Sequence, residues 1–148
     1  MPSVVFTLRL PDWVPDLCHR QLVYATLQER MELAIELARL NVAHDTGGPF
    51  GAAIFDLEQG TLLAAGVNMV VPQNCSVLHA EIVAIIMAQQ MAGSFDLGAE
   101  GLPAYELISS VEPCAMCMGA VPWSGVRRLV CGARDEDARR VGFDEGPK

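Results

Sequence analysis

Residues 111–119 read VEPCAMCMG, which puts Cys114 and Cys117 three positions apart, directly behind Pro113. The proline is suited to open a helix. A CxxC at a helix start presents both sulfurs on one face. The positive end of the helix dipole lowers thiol pKa values and favours the thiolates that a metal needs. Alone, the pair fits a redox dithiol, a structural metal knuckle or a catalytic metal site. A four-ligand structural site needs two more Cys or His at suitable spacing. Cys131 is isolated, and no histidine follows His79. A redox CxxC is expected near the first strand–helix unit of its fold, and this one comes late in the chain.

The chain has 148 residues, the size of one domain with a sizeable core. It is 51% hydrophobic, which argues against disorder. Its formal charge is −8, from 18 acidic and 10 basic residues. No Lys/Arg cluster exceeds a pair, as at Arg127-Arg128 and Arg139-Arg140. Nucleic acid and anionic membranes are therefore poor partners, and a small neutral substrate suits the balance. No basic and apolar leader opens the sequence, and the longest apolar run, 82–88, is too short to span a bilayer. Five unevenly spaced cysteines point to a reducing compartment, hence a cytoplasmic location.

Outward from the cysteines, AYELISSV (104–111) predicts a central strand, and a short helix runs from Pro113 to about Trp123. A further strand covers 127–132, and DEDARRVG (135–142) is at most a short helix. Upstream, FGAAIFDL (50–57) and TLLAAGVNMVV (61–71) read as a hairpin around Glu58-Gln59-Gly60. Ser76 is the expected cap of a helix from His79 to about Met91, apolar nearly all round and so expected to be buried between layers. Residues 22–42 read as a helix whose stripe is Leu27, Met31, Ala34, Ile35, Ala38 and Val42. Residues 1–20, with three prolines, read as an irregular arm, and 21–148 as a single domain. A hairpin followed by alternating helices and strands predicts an α/β fold, a layered domain with a mixed sheet.

His79 begins one helix as the cysteines begin another, and one crossover can bring the two starts together. Glu81 enters a helix nearly empty of charge, where an unpaired carboxylate is costly. H-A-E followed by P-C-x-x-C is the pattern of zinc deaminases, in which His and two Cys hold zinc and Glu moves protons. His79-Ala80-Glu81 and Pro113-Cys114-Ala115-Met116-Cys117 together resemble the cytidine deaminase-like superfamily, over roughly residues 27–146. GGPFGAAIF (47–55), AAGVNMVVPQNCSVLHAE (64–81) and VGFDEGPK (141–148) are most similar to its bacterial guanine deaminase branch, which also accepts some amino-triazines.

The resemblance implies a three-layer α/β/α sandwich with one Zn²⁺ per chain on His79, Cys114 and Cys117. It implies hydrolytic deamination of a free purine base, guanine to xanthine and ammonia, with Glu81 as proton shuttle. Asn68 is similar to the asparagine that hydrogen-bonds the base, Phe50 and Phe143 to aromatic walls, and Ala80 to a substrate-contacting position. Glu145 resembles a second acid that serves the leaving amine, and Trp123 a residue near the pocket. Gly142 and Gly146-Pro147 flank Phe143-Asp144-Glu145, which suits a flap over the substrate. The family implies a homodimer, and its chains usually continue past GFDEGP into a further strand and helix. Cytosine, cytidine or triazine deamination, and an inactive zinc-stabilised scaffold, are the alternatives. Met116 and Met118 are expected to fill the core; Cys18, Cys75 and Cys131 to be buried or partly buried thiols; His19 and His44 to be surface or loop residues.

Overall fold

The computed structural model describes residues 1–143. Its centre is a four-stranded sheet in the order β2-β1-β3-β4. Strands β1 (Gly51–Asp56) and β2 (Leu62–Val67) form the expected antiparallel hairpin. Its turn is held by Asp56 Oδ1, which accepts from the N–H groups of Glu58 and Gln59 at 2.9 and 2.8 Å. Strand β3 (Tyr105–Val111) lies antiparallel to β1, and β4 (Arg128–Ala133) runs parallel to β3. A parallel pair needs a crossover, and helix α4 (Ala115–Ser124) supplies it.

Alternation along the strands divides the core into two faces. Ala53, Phe55, Ala65, Val67 and Ile108 face helix α2 (Leu27–Ala43), which buries Leu33, Ala34 and Leu37 against them. Ala52, Ile54, Ala64 and Leu107 face helix α3 (Ala80–Ala92), which buries Ala84, Ile85 and Ala88. The result is the predicted three-layer α/β/α arrangement with a mixed sheet. Both helices lie close enough that the sheet needs glycine beneath them. A Cβ on Gly51 would stand 2.3 Å from the Ala34 carbonyl oxygen, and one on Gly66 2.3 Å from that of Ala80.

Several local expectations change. Helix α2 begins at Leu27 rather than 22, because Thr26 closes a capping box with Glu29. Its Oγ1 accepts from the Glu29 N–H at 3.1 Å, and the Thr26 N–H donates to Glu29 Oε2 at 3.0 Å. The segment before it instead runs beside β2, where Val23 pairs with Thr61. The buried stripe of α2 is Arg30, Leu33, Ala34, Leu37, Ala38 and Asn41, while Leu27, Ile35 and Val42 face solvent. Within residues 1–20 there is a short helix, α1 (Trp13–Cys18), whose Val14 is buried in the main core. Residues 135–140 form helix α5 (Asp135–Arg140).

Helix α3 is only partly enclosed: Ile82, Ile86 and Met87 are half-buried and Met91 is exposed. Met116 and Met118 are exposed on α4 rather than filling the core, and Cys131 is exposed on the edge strand β4. All five cysteines are free thiols. No helix among the described residues is long and apolar enough to cross a membrane.

Candidate metal centre and base pocket

His79, not Ser76, is the N-cap of α3, and Cys114 is the N-cap of α4. Both have extended backbone, and neither side chain makes a capping hydrogen bond. The imidazole and the thiol are thereby left to each other: Cys114 Sγ lies 3.6 Å from His79 Nδ1. Cys117 follows one turn later and is fully buried. One ligand atom from each of the three residues lies within 4.8 Å of the others, close to the spread that zinc bonds of about 2.0–2.3 Å allow.

The donor set itself calls for a cation. Burial pushes the Cys117 thiol well above its usual range, and the neighbouring Glu81 carboxylate and Cys114 push it further. Two thiols and a carboxylate share this pocket, and a divalent ion is the charge that reverses such a shift. The residues present fit zinc: one imidazole and two thiols are the three protein ligands of a catalytic rather than a closed structural site.

Glu81, in the first turn of α3, is 6% exposed. Its Oε2 lies 3.5 Å from Cys117 Sγ and its Oε1 3.3 Å from the hydroxyl oxygen of Ser109 on β3. The Ser109 hydroxyl donates to the Val111 carbonyl at 2.7 Å, which fixes the oxygen beside which Glu81 lies. Ser109 was not named from the sequence; its only signal is a small polar residue in the central strand, shared with the adjacent Ser110.

Beside His79 opens a cleft of about 280 Å³. It is lined by Gly48, Phe50, Asn68, His79, Glu81 and Phe143, among others. The Phe50 and Phe143 rings meet edge to face, with centroids 5.5 Å apart and planes at 87°. Asn68 Oδ1 accepts from the Val70 N–H at 3.3 Å, which leaves its NH₂ as the group available to a ligand. The structure thus brings Phe50, Asn68, His79, Glu81 and Phe143 around one space, and His79 also groups with Cys114 and Cys117. Ala80 is buried with its backbone against Gly66 rather than lining the cleft. Trp123 is 87% exposed on α4, outside the lining. Glu145, and with it most of the expected flap, lies outside the described residues.

Residues 25–133 match the zinc-binding region of cytidine and deoxycytidylate deaminases. The chain belongs to this zinc-binding deaminase family. A guanine deaminase from Bacillus subtilis (strain 168) is 37% identical over 115 residues, covering 78% of this chain and 69% of that protein. The solved structure of a guanine deaminase from Nitrosomonas europaea superposes with a TM-score of 0.92 at 48% identity, over all of this chain and 81% of that one. A second solved structure, in complex with 2,6-diaminopurine, superposes with a TM-score of 0.91 at 51% identity, over 96% of this chain and 75% of that one. More distant matches include tRNA-specific adenosine deaminases; that of Rickettsia bellii is 36% identical over 87 residues, 59% of this chain and 57% of that protein.

Proposed function

We propose that this zinc-dependent aminohydrolase deaminates a free purine base, guanine to xanthine and ammonia. The observation that carries the reading is the cleft itself. It is small, about 280 Å³, at the lower end of ligand pockets of about 300–1,000 Å³. Two aromatic edges, one free amide and one buried carboxylate line it, which suits a flat, hydrogen-bonding base. The relative solved with 2,6-diaminopurine and the guanine deaminases among the matches support a purine rather than a pyrimidine.

His79, Cys114 and Cys117 would hold the zinc, whose chemistry when bound is that of a Lewis acid making water acidic near neutral pH. The chain supplies the rest. Phe50 and Phe143 together supply an aromatic wall for the ring, and the Asn68 NH₂ donates to an acceptor on the base. Glu81 accepts a proton from the water that adds to C2 and passes it to the adjacent ring nitrogen. As C2=O forms, the C2–N bond breaks and ammonia departs with the proton that the new C2 hydroxyl gives up. Glu81 delivers that proton, with Glu145 as a second candidate acid from outside the described residues.

The charge of −8 and the small cleft support a free base rather than a nucleic acid strand. Free cysteines throughout support a cytoplasmic setting. Exposed Met116, Met118 and Trp123 on α4 support a homodimer, testable by sedimentation. Turnover on guanine, ammeline, adenine, cytosine and cytidine tests the assignment. Guanine should give the highest kcat/KM; a clear preference for cytidine or cytosine defeats it.

A further inference from the structure

Asn41 is fully buried near the end of α2, where a polar side chain needs all its hydrogen bonds. It has them, and they lead to the cleft. Its Nδ2 donates to the Gly48 carbonyl at 2.8 Å and to the Asn68 carbonyl at 2.9 Å. These are the backbones of two neighbouring residues of the base pocket's lining. Its Oδ1 accepts from the Thr46 hydroxyl at 2.8 Å. The Thr46 oxygen accepts in turn from the indole N–H of Trp13 at 3.0 Å. Trp13 opens α1 and stacks on His44, with centroids 5.3 Å apart and planes at 11°. The seam admits no slack: a Cβ on Gly47 would stand 2.0 Å from the Asn68 carbonyl oxygen and 2.7 Å from Asn41 Nδ2.

We infer that Asn41 is a positioning residue for the base-binding Asn68, and that Trp13, through Thr46, sets the amide that does the positioning. Each amide group of Asn41 has a fixed partner, so its orientation is determined from one side by Thr46 and spent on the other at Gly48 and Asn68. Trp13 precedes the zinc-binding region matched at residues 25–133. The amino-terminal helix is thus a clamp on the pocket rather than a passive extension. If the relay is cut, the carbonyl of Asn68 loses a fixed partner and its side chain loses its aim.

The inference rests on the reading of the cleft as a base site, and the test separates the two. Thr46→Val removes the hydroxyl while preserving shape; Thr46→Ser restores it; Trp13→Phe keeps an aromatic on His44 but removes the donor. Thr46→Val should lower kcat/KM for guanine by about 10-fold to 10²-fold, the scale of a small misplacement, with zinc content unchanged and Thr46→Ser near wild type. Trp13→Phe should move in the same direction. In an Asn68→Ala background the Thr46→Val effect should shrink to within about twofold of unity, as expected when both act through one contact. Where turnover is too slow, the Kd for 2,6-diaminopurine replaces it. Equal effects in both backgrounds, no effect in either, or loss of zinc overturns the inference. If the wild type does not act on guanine, the substrate reading fails by itself. Hydrogen exchange then decides the relay: faster exchange at 47–50 and 68–70 in Thr46→Val upholds it, and unchanged exchange overturns it.

Discussion

Glu81 is held between a buried thiol and a hydroxyl that is already committed to a backbone carbonyl. Its place in the wall of the cleft, beside the candidate metal ligands, is the argument for a chemical role. Glu81→Gln preserves size and hydrogen-bonding reach but cannot cycle a proton. General acid–base groups contribute about 10²–10⁴-fold, and this one serves several transfers, so turnover should fall by at least the upper end of that range. Zinc content, read by elemental analysis, should stay at about one per chain. Near-normal turnover or lost zinc defeats the role. Cys117 gives a second prediction, from pH. Its thiol pKa is raised in the metal-free fold, first by burial and then by Glu81 and Cys114. Above the ordinary thiol value of about 8.5, the unfolded chain therefore binds fewer protons than the folded one. Stability of the metal-free protein must fall as pH rises there. Burial moves Cys18 the same way, up to about 11, and adds to the slope. Zinc needs the thiolate, so its uptake should release protons and protect against the alkaline loss. Urea midpoints of zinc-loaded and chelator-treated protein between pH 8 and 10 check this; parallel curves would show that Cys117 is not a ligand.

At the scale of elements, the site exists because two helix starts are pressed onto one end of the sheet. The seat of α3 on β2 is Gly66, where an added Cβ would meet the Ala80 oxygen at 2.3 Å and the Ala84 nitrogen at 2.4 Å. These are backbone atoms, so the helix itself must shift. Gly66→Ala should cost about 1–3 kcal/mol and, by moving His79 and Glu81, should also weaken zinc binding. Gly119→Ala on α4 is the contrast: a Cβ there meets nothing within 4 Å, and alanine should stabilise that helix by about 0.5–1 kcal/mol. Urea denaturation with a zinc titration separates the two variants; equal behaviour would show that α3 is free to move on the sheet. The order of these elements was legible in the sequence, because hairpin turn, strand periodicity and the two motif halves each leave a local mark. The grouping of His79, Cys114 and Cys117 was legible for the same reason. The inner face of α2 was not. Its buried stripe contains Arg30 and Asn41, and an apolar stripe drawn around them lands one step away, on Ile35 and Val42. A periodicity of apolar residues has no term for a polar side chain satisfied by partners far along the chain. Helix α1 escaped for a related reason: three prolines in 1–20 read as breakers, although Pro15 stands in the first turn, where its missing N–H is harmless.

Across the whole molecule, the partner that makes Arg30 tolerable is Glu106, fully buried on the central strand β3. The Arg30 guanidinium donates to Glu106 Oε1, while its Nε–H donates to the Tyr24 carbonyl at 2.8 Å. From the other side, Arg128 Nε–H on β4 donates to Glu106 Oε2 at 2.6 Å. One carboxylate therefore joins α2, the sheet centre and the edge strand, and through Arg30 the segment before α2. The contact lies three residues from Ser109 along β3, about 10 Å from the chemistry, so its role is structural. Arg128 is half exposed and its share is screened. Arg30 is not, and Glu106→Gln would leave it buried without a counter-charge. Breaking a buried pair in this way costs about 3–5 kcal/mol. The prediction is a loss of that order in urea denaturation for Glu106→Gln and a much smaller one for Arg128→Ala. Replacing both partners at once, Arg30→Met with Glu106→Leu, should recover most of the loss, because the desolvation of both charges disappears together. Zinc content and kcat of the folded fraction should be unchanged in all three. Reduced kcat at full zinc in Glu106→Gln would show instead that this end of the sheet communicates with the cleft, and that the ion triad belongs to the catalytic apparatus.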